Sequence, residues 1–154
     1  MTSLVHNLWP RARRAIGWLE MLQPLAQLAA RLYVARVFFL SGLTKLRDWD
    51  TTLALFHDEY HVPLLPPDLA AVMGTTGETV LPVLLVLGLA GRFAAAGLSV
   101  VNVVAALSLA EIAPAALQQH QFWGSLLLAL LLWGPGRLSA DAWIARRLGL
   151  SMPA

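Results

Sequence analysis

Cysteine is absent from the 154-residue chain. That excludes disulfides, thiol redox chemistry, iron–sulfur clusters and thiolate metal sites on it. Charge is scarce: Asp, Glu, Lys and Arg make up 13% of residues, about half the usual share of a soluble domain. The pI is near 9.7, yet the formal excess is only +2. No basic run is long enough to track phosphates, so nucleic acid is excluded as a partner. Histidine occurs only at His6, His57, His61 and His120, none at mid-membrane depth, so no haem is expected inside a helical bundle. No Ser-His-Asp arrangement and no phosphate-binding glycine loop is present.

What is abundant is apolar surface. Hydrophobic residues are 58% of the chain and the mean hydropathy is +0.64. So few charges cannot cover a water-soluble surface, which excludes a soluble enzyme and a disordered chain. The expected fold is all-α, an integral membrane four-helix bundle with the lipid bilayer as its first partner. A bilayer core about 30 Å thick takes roughly 20 apolar residues per helix, and four segments qualify. The first runs from Leu25 to Leu46. The second, with Asp68 as its N-cap, ends near Ala90. The third runs from Arg92 to Glu111. The fourth starts at Pro114 and stops at Gly134-Pro135-Gly136, with Gln118 to Gln121 in its first turns at the membrane surface.

Three shorter amphipathic helices are expected in the interface. In residues 1–24, Ala12, Ala15, Ile16, Leu19 and Leu22 oppose Arg11, Arg14 and Glu20, with Trp9 and Trp18 as anchors. No short apolar run with a small-residue cleavage site follows the arginines, so this is not read as a secretory signal. Pro24 separates it from a membrane domain over 25–136. Residues 137–154 repeat the theme, with Trp143 and Ile144 against Arg146 and Arg147. In the first outer loop, Asp50 is the expected N-cap of a surface helix carrying Leu53, Phe56 and Tyr60. Seven basic residues (Arg11, Arg13, Arg14, Arg92, Arg137, Arg146, Arg147) flank one side of the spans and two (Lys45, Arg47) the other. This asymmetry places both termini in the cytoplasm.

Ionisable residues within a span need a partner or a water-filled cavity. Arg31, Arg36 and Glu78 lie in spans, and Lys45 lies near an edge. At about 1.5 Å per residue, Arg36, Glu78 and Asn102 all reach the midplane. The expectation is an Arg36–Glu78 pair with Asn102 completing its hydrogen bonds, serving either as glue between helices or as a proton or headgroup site. Arg31, Phe38, Gly42 and Lys45 share one stripe of the first span, with Arg36 nearly opposite Lys45. One polar face would then be buried, while Lys45 either snorkels outward or donates to a ligand. Gly74, Glu78 and Pro82 on the second span, and Ser99, Asn102 and Ala106 on the third, mark faces of close approach.

The outer rim gathers Trp49, Tyr60, His61, Gln119, His120 and Trp123. Aromatic residues at this depth anchor a protein in the interface, and they also suit an amphipathic ligand such as a quinone. Such a ligand would be held by Lys45, Trp49, Tyr60, His61, His120 and Asn102, with Glu78 and Arg36 handling protons. His57 and His61 share a helix face, but the spacing alone does not make a metal site, and none is assigned.

The run Arg36-Val-Phe-Phe-Leu-Ser-Gly-Leu-Thr-Lys45 resembles the first-span signature of the DoxX family of small four-helix membrane proteins. Glu78 and the Gly88-Leu-Ala-Gly91-Arg92 turn match that family's second-span glutamate and its following turn. Asn102 falls where many relatives have a polar residue. The resemblance covers about Ala30 to Arg137. It implies a multi-pass protein of the bacterial inner membrane. Some relatives look like subunits of quinone-linked oxidoreductases, including thiosulfate oxidation, and others are tied to oxidative or metal stress. Arg36, Lys45 and Glu78 are the matched positions.

Two classes stay open. One is a non-haem membrane subunit of a quinone-linked redox system, needing a partner redox or stress-response protein that carries the electron centre. The other is a non-enzymatic scaffold or small transporter. Association between copies is left open in both. Quinone in the purified protein favours the first; a water path past Glu78 favours a transporter.

Overall fold

The computed structural model describes residues 2–150, and within them the side chains of residue 9, residues 12–14 and residues 16–150. The expectations resting on the side chains of His6, Arg11 and Ala15, and on residues 151–154, lie outside the described residues. The described chain is all-α: α1 (Thr2–Arg47), α2 (Trp49–Asp58), α3 (Pro67–Leu87), α4 (Gly91–Ser108), α5 (Pro114–Trp133) and α6 (Ala140–Arg147). By length and composition, α3 and α4 are apolar enough to cross a bilayer. The segments expected to be the first and fourth spans fall short of that measure. Arg31, Arg36 and Lys45 interrupt the first, and Gln118 to Gln121 open the fourth.

Helices α1, α3, α4 and α5 pack in a ring, α1 on α3, α3 on α4, α4 on α5 and α5 back on α1. Their shared core holds Val34, Ala35 and Phe38 of α1, Leu85 of α3, Ala94, Ala95 and Leu98 of α4, and Leu127 and Leu130 of α5. The small side chains let backbones approach closely. Gly42 is where α1 comes close to α3: a Cβ there would meet Thr79 Cγ2 at 2.7 Å and the Glu78 Cβ at 3.1 Å. The stripe read from the sequence therefore faces inward, with Arg31, Phe38 and Gly42 buried and Lys45 half-buried.

Besides the ends of α3 and α4, which fall at Leu87 and Ser108 rather than near Ala90 and Glu111, three boundaries differ from expectation. First, α1 runs unbroken through Pro24. A proline removes one backbone bond and crowds the carbonyl four residues earlier, but long helical stretches on both sides hold the axis. Second, α2 is capped by Asp48 rather than Asp50. The Asp48 carboxylate accepts from the Thr51 N–H at 3.0 Å and the Thr51 hydroxyl at 2.7 Å, and these bonds hold its pKa below the usual carboxylate range. Third, α3 starts at Pro67 with Pro66 in the cap position, and Asp68 lies in its first turn, where it accepts from His57 Nε2 at 2.9 Å. The loop helix is also more than a surface element. Phe56 packs with Ala70 and Ala71 of α3 in a second core, flanked by Trp49, Leu53, Tyr60, Val62 and Leu65. The end of α2 is tied to the end of α4 by the His61 N–H donating to Ser108 O at 2.8 Å.

Arg31 organises the opposite end of the ring. Helix C-termini leave carbonyls short of partners, and this guanidinium gathers two from the end of α3 with two from the α5–α6 connection. It donates to Leu85 O at 2.8 Å, to Pro135 O at 2.8 Å, to Leu138 O at 2.7 Å and to Val86 O. One side chain thus joins α1, the last turn of α3 and the α5–α6 connection. Gly88 ends α3 at φ +65°, where a Cβ would strike Ser139 Cβ at 2.5 Å and Arg31 Nη2 at 2.8 Å. The next helix start is capped from a distance. Asp141 of α6 accepts the Ala90 and Gly91 N–H groups at 2.8 and 2.9 Å. Asp141 is therefore a long-range N-cap, a favourable place for a carboxylate.

Replacing Arg31 with Ala strands the Val86, Pro135 and Leu138 carbonyls, each costing about 1–3 kcal/mol when buried, while Leu85 O keeps the Gly88 N–H at 3.1 Å. Arg31→Ala is expected to be the most destabilising single change at this end of the ring in detergent thermal unfolding. Arg31→Lys should restore only a minor part, because an ammonium cannot reproduce the planar fork.

Candidate functional site

The two cores leave a space between them. A cavity of about 410 Å³ is floored by Phe38 and Trp123, roofed by Phe56, Tyr60, Val62 and Leu65, and walled by α3 and α4. Its polar side chains are Ser41, Lys45, Tyr60, Glu78, Ser108 and His120. The size and the mainly apolar lining are those of a small-molecule site.

Glu78 is paired, but not with Arg36. Lys45 Nζ lies 2.5 Å from Glu78 Oε2, with the Lys45 side chain 19% exposed and that of Glu78 8% exposed. The same ammonium donates to Ser41 Oγ at 3.0 Å. An ammonium has three N–H donors, so one remains for the cavity. Arg36 is exposed and makes no ion pair or side-chain hydrogen bond among the described residues. The reason is helical phase. Nine residues at about 100° each put Arg36 and Lys45 on opposite faces, and the close approach at Gly42 selects the Lys45 face. The Arg36–Glu78–Asn102 constellation does not form.

Asn102 serves the histidine instead. Its Nδ2 donates to His120 O at 2.9 Å, and its Oδ1 lies 2.8 Å from His120 Nδ1. A carbonyl oxygen only accepts, so the amide nitrogen must face the backbone and Oδ1 must face the ring. His120 Nδ1 therefore carries a proton, and in the neutral ring Nε2 is left as an acceptor. The ring stands edge-on to Trp123, centroids 5.1 Å apart. Trp123 in turn packs edge-on against Phe38 at 6.0 Å. The Trp123 indole N–H is buried without a hydrogen-bond partner, as is the Thr75 hydroxyl.

Tyr60 is in edge contact with Phe56 at 5.0 Å. Burial pushes its phenol pKa up, and the Glu59 and Glu78 charges push it further. The hydroxyl thus stays protonated, a donor, throughout the neutral range.

Of the residues expected in the site, Lys45, Glu78, Tyr60 and His120 line the cavity, and Asn102 acts through His120. Trp49 belongs to the second core and does not line it. His61 is exposed, its Nδ1 3.2 Å from Glu59 O. Trp123, expected with the outer-rim aromatics, lines the cavity as well, whereas Ser41 and Phe38 were not among the expected ligand contacts. Ser41 stands four residues before Lys45, the spacing of neighbours on one helix face, which is the signal that identifies it. Among the described residues no group of three His, Asp or Glu side chains is placed to hold a metal.

The model of the DoxX family matches residues 26–111, more than half of the chain. The match takes in the α1–α3 pair, α2 and α4, with the Lys45–Glu78 contact inside it. No curated protein and no solved structure matches the chain.

Removing either partner of the ion pair leaves a buried unpaired charge, at a cost of roughly 3–5 kcal/mol. Lys45→Met and Glu78→Leu should each lower the unfolding temperature in detergent strongly. The double variant should recover most of the loss, while Arg36→Ala stays within about 0.5 kcal/mol of the parent. Equal, additive losses in the double variant would show that the two residues act independently.

Proposed function

The chain belongs to the DoxX family of membrane proteins, and from that premise we propose that it is a four-span subunit of a quinone-linked redox system in the bacterial inner membrane. In this reading α1, α3, α4 and α5 cross the bilayer with both termini in the cytoplasm. The spans that fall short on apolar composition tolerate their charges because Arg31 and Lys45 are satisfied within the ring. Arg36 is exposed on α1, and in this reading its long side chain snorkels toward the headgroups.

The observation that carries the ligand class is the cavity between the two cores. A quinone is a flat ring with two carbonyl acceptors on an apolar body, and it supplies two-electron, two-proton chemistry. The residues fit that shape. Phe38, Trp123, Phe56 and Tyr60 give aromatic walls above and below. The spare Lys45 N–H and the protonated Tyr60 hydroxyl are donors for carbonyl oxygens. Glu78 and His120 Nε2 are acceptors able to hold a proton beside them. Lys45 orients Glu78, and Asn102 orients His120. The chain has no cysteine and supplies no iron–sulfur ligands. The electron centre therefore belongs to a partner protein, and this subunit holds the acceptor and manages protons.

The test is chemical. Protein purified in mild detergent is extracted with organic solvent and the extract assayed for quinone. The wild type should carry it. Tyr60→Phe and Lys45→Met should lower the retained amount about tenfold or more, the loss expected for hydrogen bonds involving a charged or buried donor. His61→Ala and Trp49→Phe should leave it unchanged. Quinone absent from the wild type would return the chain to the scaffold or transporter class. A reporter active only in the cytoplasm should work when fused after Ala154 and fail when inserted near His57.

A further inference from the structure

We propose that a second site, at the opposite end of the ring from the cavity, binds the headgroup of an anionic phospholipid of the inner leaflet. This rests on the membrane reading and its orientation, but not on quinone binding. The site is a cleft of about 850 Å³ between the inner stretch of α1, the α3–α4 turn, the α5–α6 connection and α6.

Three arginines from three different elements line it: Arg92 at the start of α4, Arg137 after α5 and Arg146 on α6. None forms an ion pair among the described residues. Arg92 uses one donor on Leu132 O at 3.3 Å, and Arg146 one on Ala142 O at 3.2 Å. Arg137 has no side-chain hydrogen bond there. A guanidinium has five donors, so most of this capacity is unspent. Two carboxylates also line the cleft, Glu20 and Asp141. Asp141 is already engaged, each oxygen accepting a backbone N–H of the α3–α4 turn. Glu20 alone is left against three cations, an excess that calls for an anion with several acceptor oxygens, such as a phosphodiester.

Free phosphate and a lipid headgroup share that chemistry. The surroundings favour the lipid. Met21, Phe93, Trp133 and Leu150 line the same cleft and are each more than 60% exposed, giving apolar surface for acyl chains beside the cations. Basic pockets between helices on the cytoplasmic side are a recurrent way to hold anionic lipids.

The test uses the full chain in a neutral detergent and reads the unfolding temperature. The probes are short-chain phosphatidylglycerol, short-chain phosphatidylcholine and inorganic phosphate at equal concentration. Phosphatidylglycerol should raise the unfolding temperature by several degrees, and the other two should not. The triple variant Arg92→Gln, Arg137→Gln, Arg146→Gln should need at least about tenfold more phosphatidylglycerol for the same shift. Arg137→Gln alone, which breaks no side-chain bond, should show part of that loss with an unchanged starting temperature. Equal shifts with phosphatidylcholine, a full shift with phosphate alone, or an undiminished shift in both variants would overturn the proposal. Quinone content is a separate readout, and the arginine variants should leave it at the wild-type level.

Discussion

The Lys45–Glu78 ion pair is the constraint on which the rest of the structure depends. Two charges taken out of water cost several kcal/mol each and recover it only with close geometry and further hydrogen bonds. That geometry needs α1 and α3 close together, and Gly42 supplies the room, with Thr79 and Glu78 where a side chain would otherwise stand. Once α1 is held against α3 on this face, the direction of every other α1 residue follows. Phe38 enters the core, Arg31 reaches the carbonyls at the far end, and Arg36 is turned outward.

The pair also explains why the ring is filled in two parts. Leu, Ala and Val close the half nearest Arg31. On the other side of the charged pair the chain places α2, whose Phe56 and Leu53 make a small second core on Ala70 and Ala71. Apolar side chains cannot fill the level where Lys45, Ser41 and Glu78 meet, and that is where the cavity opens. The polar side chains around it are held by neighbours rather than left to swing: Lys45 by Ser41, His120 by Asn102. Such fixed positions are what a preorganised binding site requires.

Much of this was legible in the sequence. The start of α4, the bounds of α5, the amphipathic α6 and the two opposed polar faces of α1 follow from periodicity and from Pro, Gly and Ser at helix ends. Depth arithmetic brought Glu78 and Asn102 to one level but gave the wrong cation, because depth does not encode helical phase. The nine-residue offset between Arg36 and Lys45 carried that information, and only packing against α3 decides between the faces. Pro24 signalled a break that the flanking helix overrides. The contribution of α2 to the core was hidden because its length and mixed polarity are those of a surface helix. The role of Arg31 was hidden for a different reason: its partners are backbone carbonyls, which leave no trace in side-chain identity.

At its other end the ring is closed by Arg31 and Asp141, a donor that gathers carbonyls and an acceptor that gathers N–H groups, which lock the α3–α4 turn and α6 to α1. The cavity and the arginine cleft thus lie at opposite ends of one rigid scaffold. The central claim is that the space between the two cores takes a quinone headgroup. Photolabelling of the wild-type protein with an azidoquinone, followed by peptide mapping, tests it most directly. The account predicts label confined to peptides containing the cavity lining, Val37–Lys45, Phe56–Leu65, Ala70–Glu78, Val100–Leu109 and His120–Trp123, and suppressed by excess unmodified quinone. Label spread over the exposed faces of α3 and α5, or unaffected by competition, would contradict it.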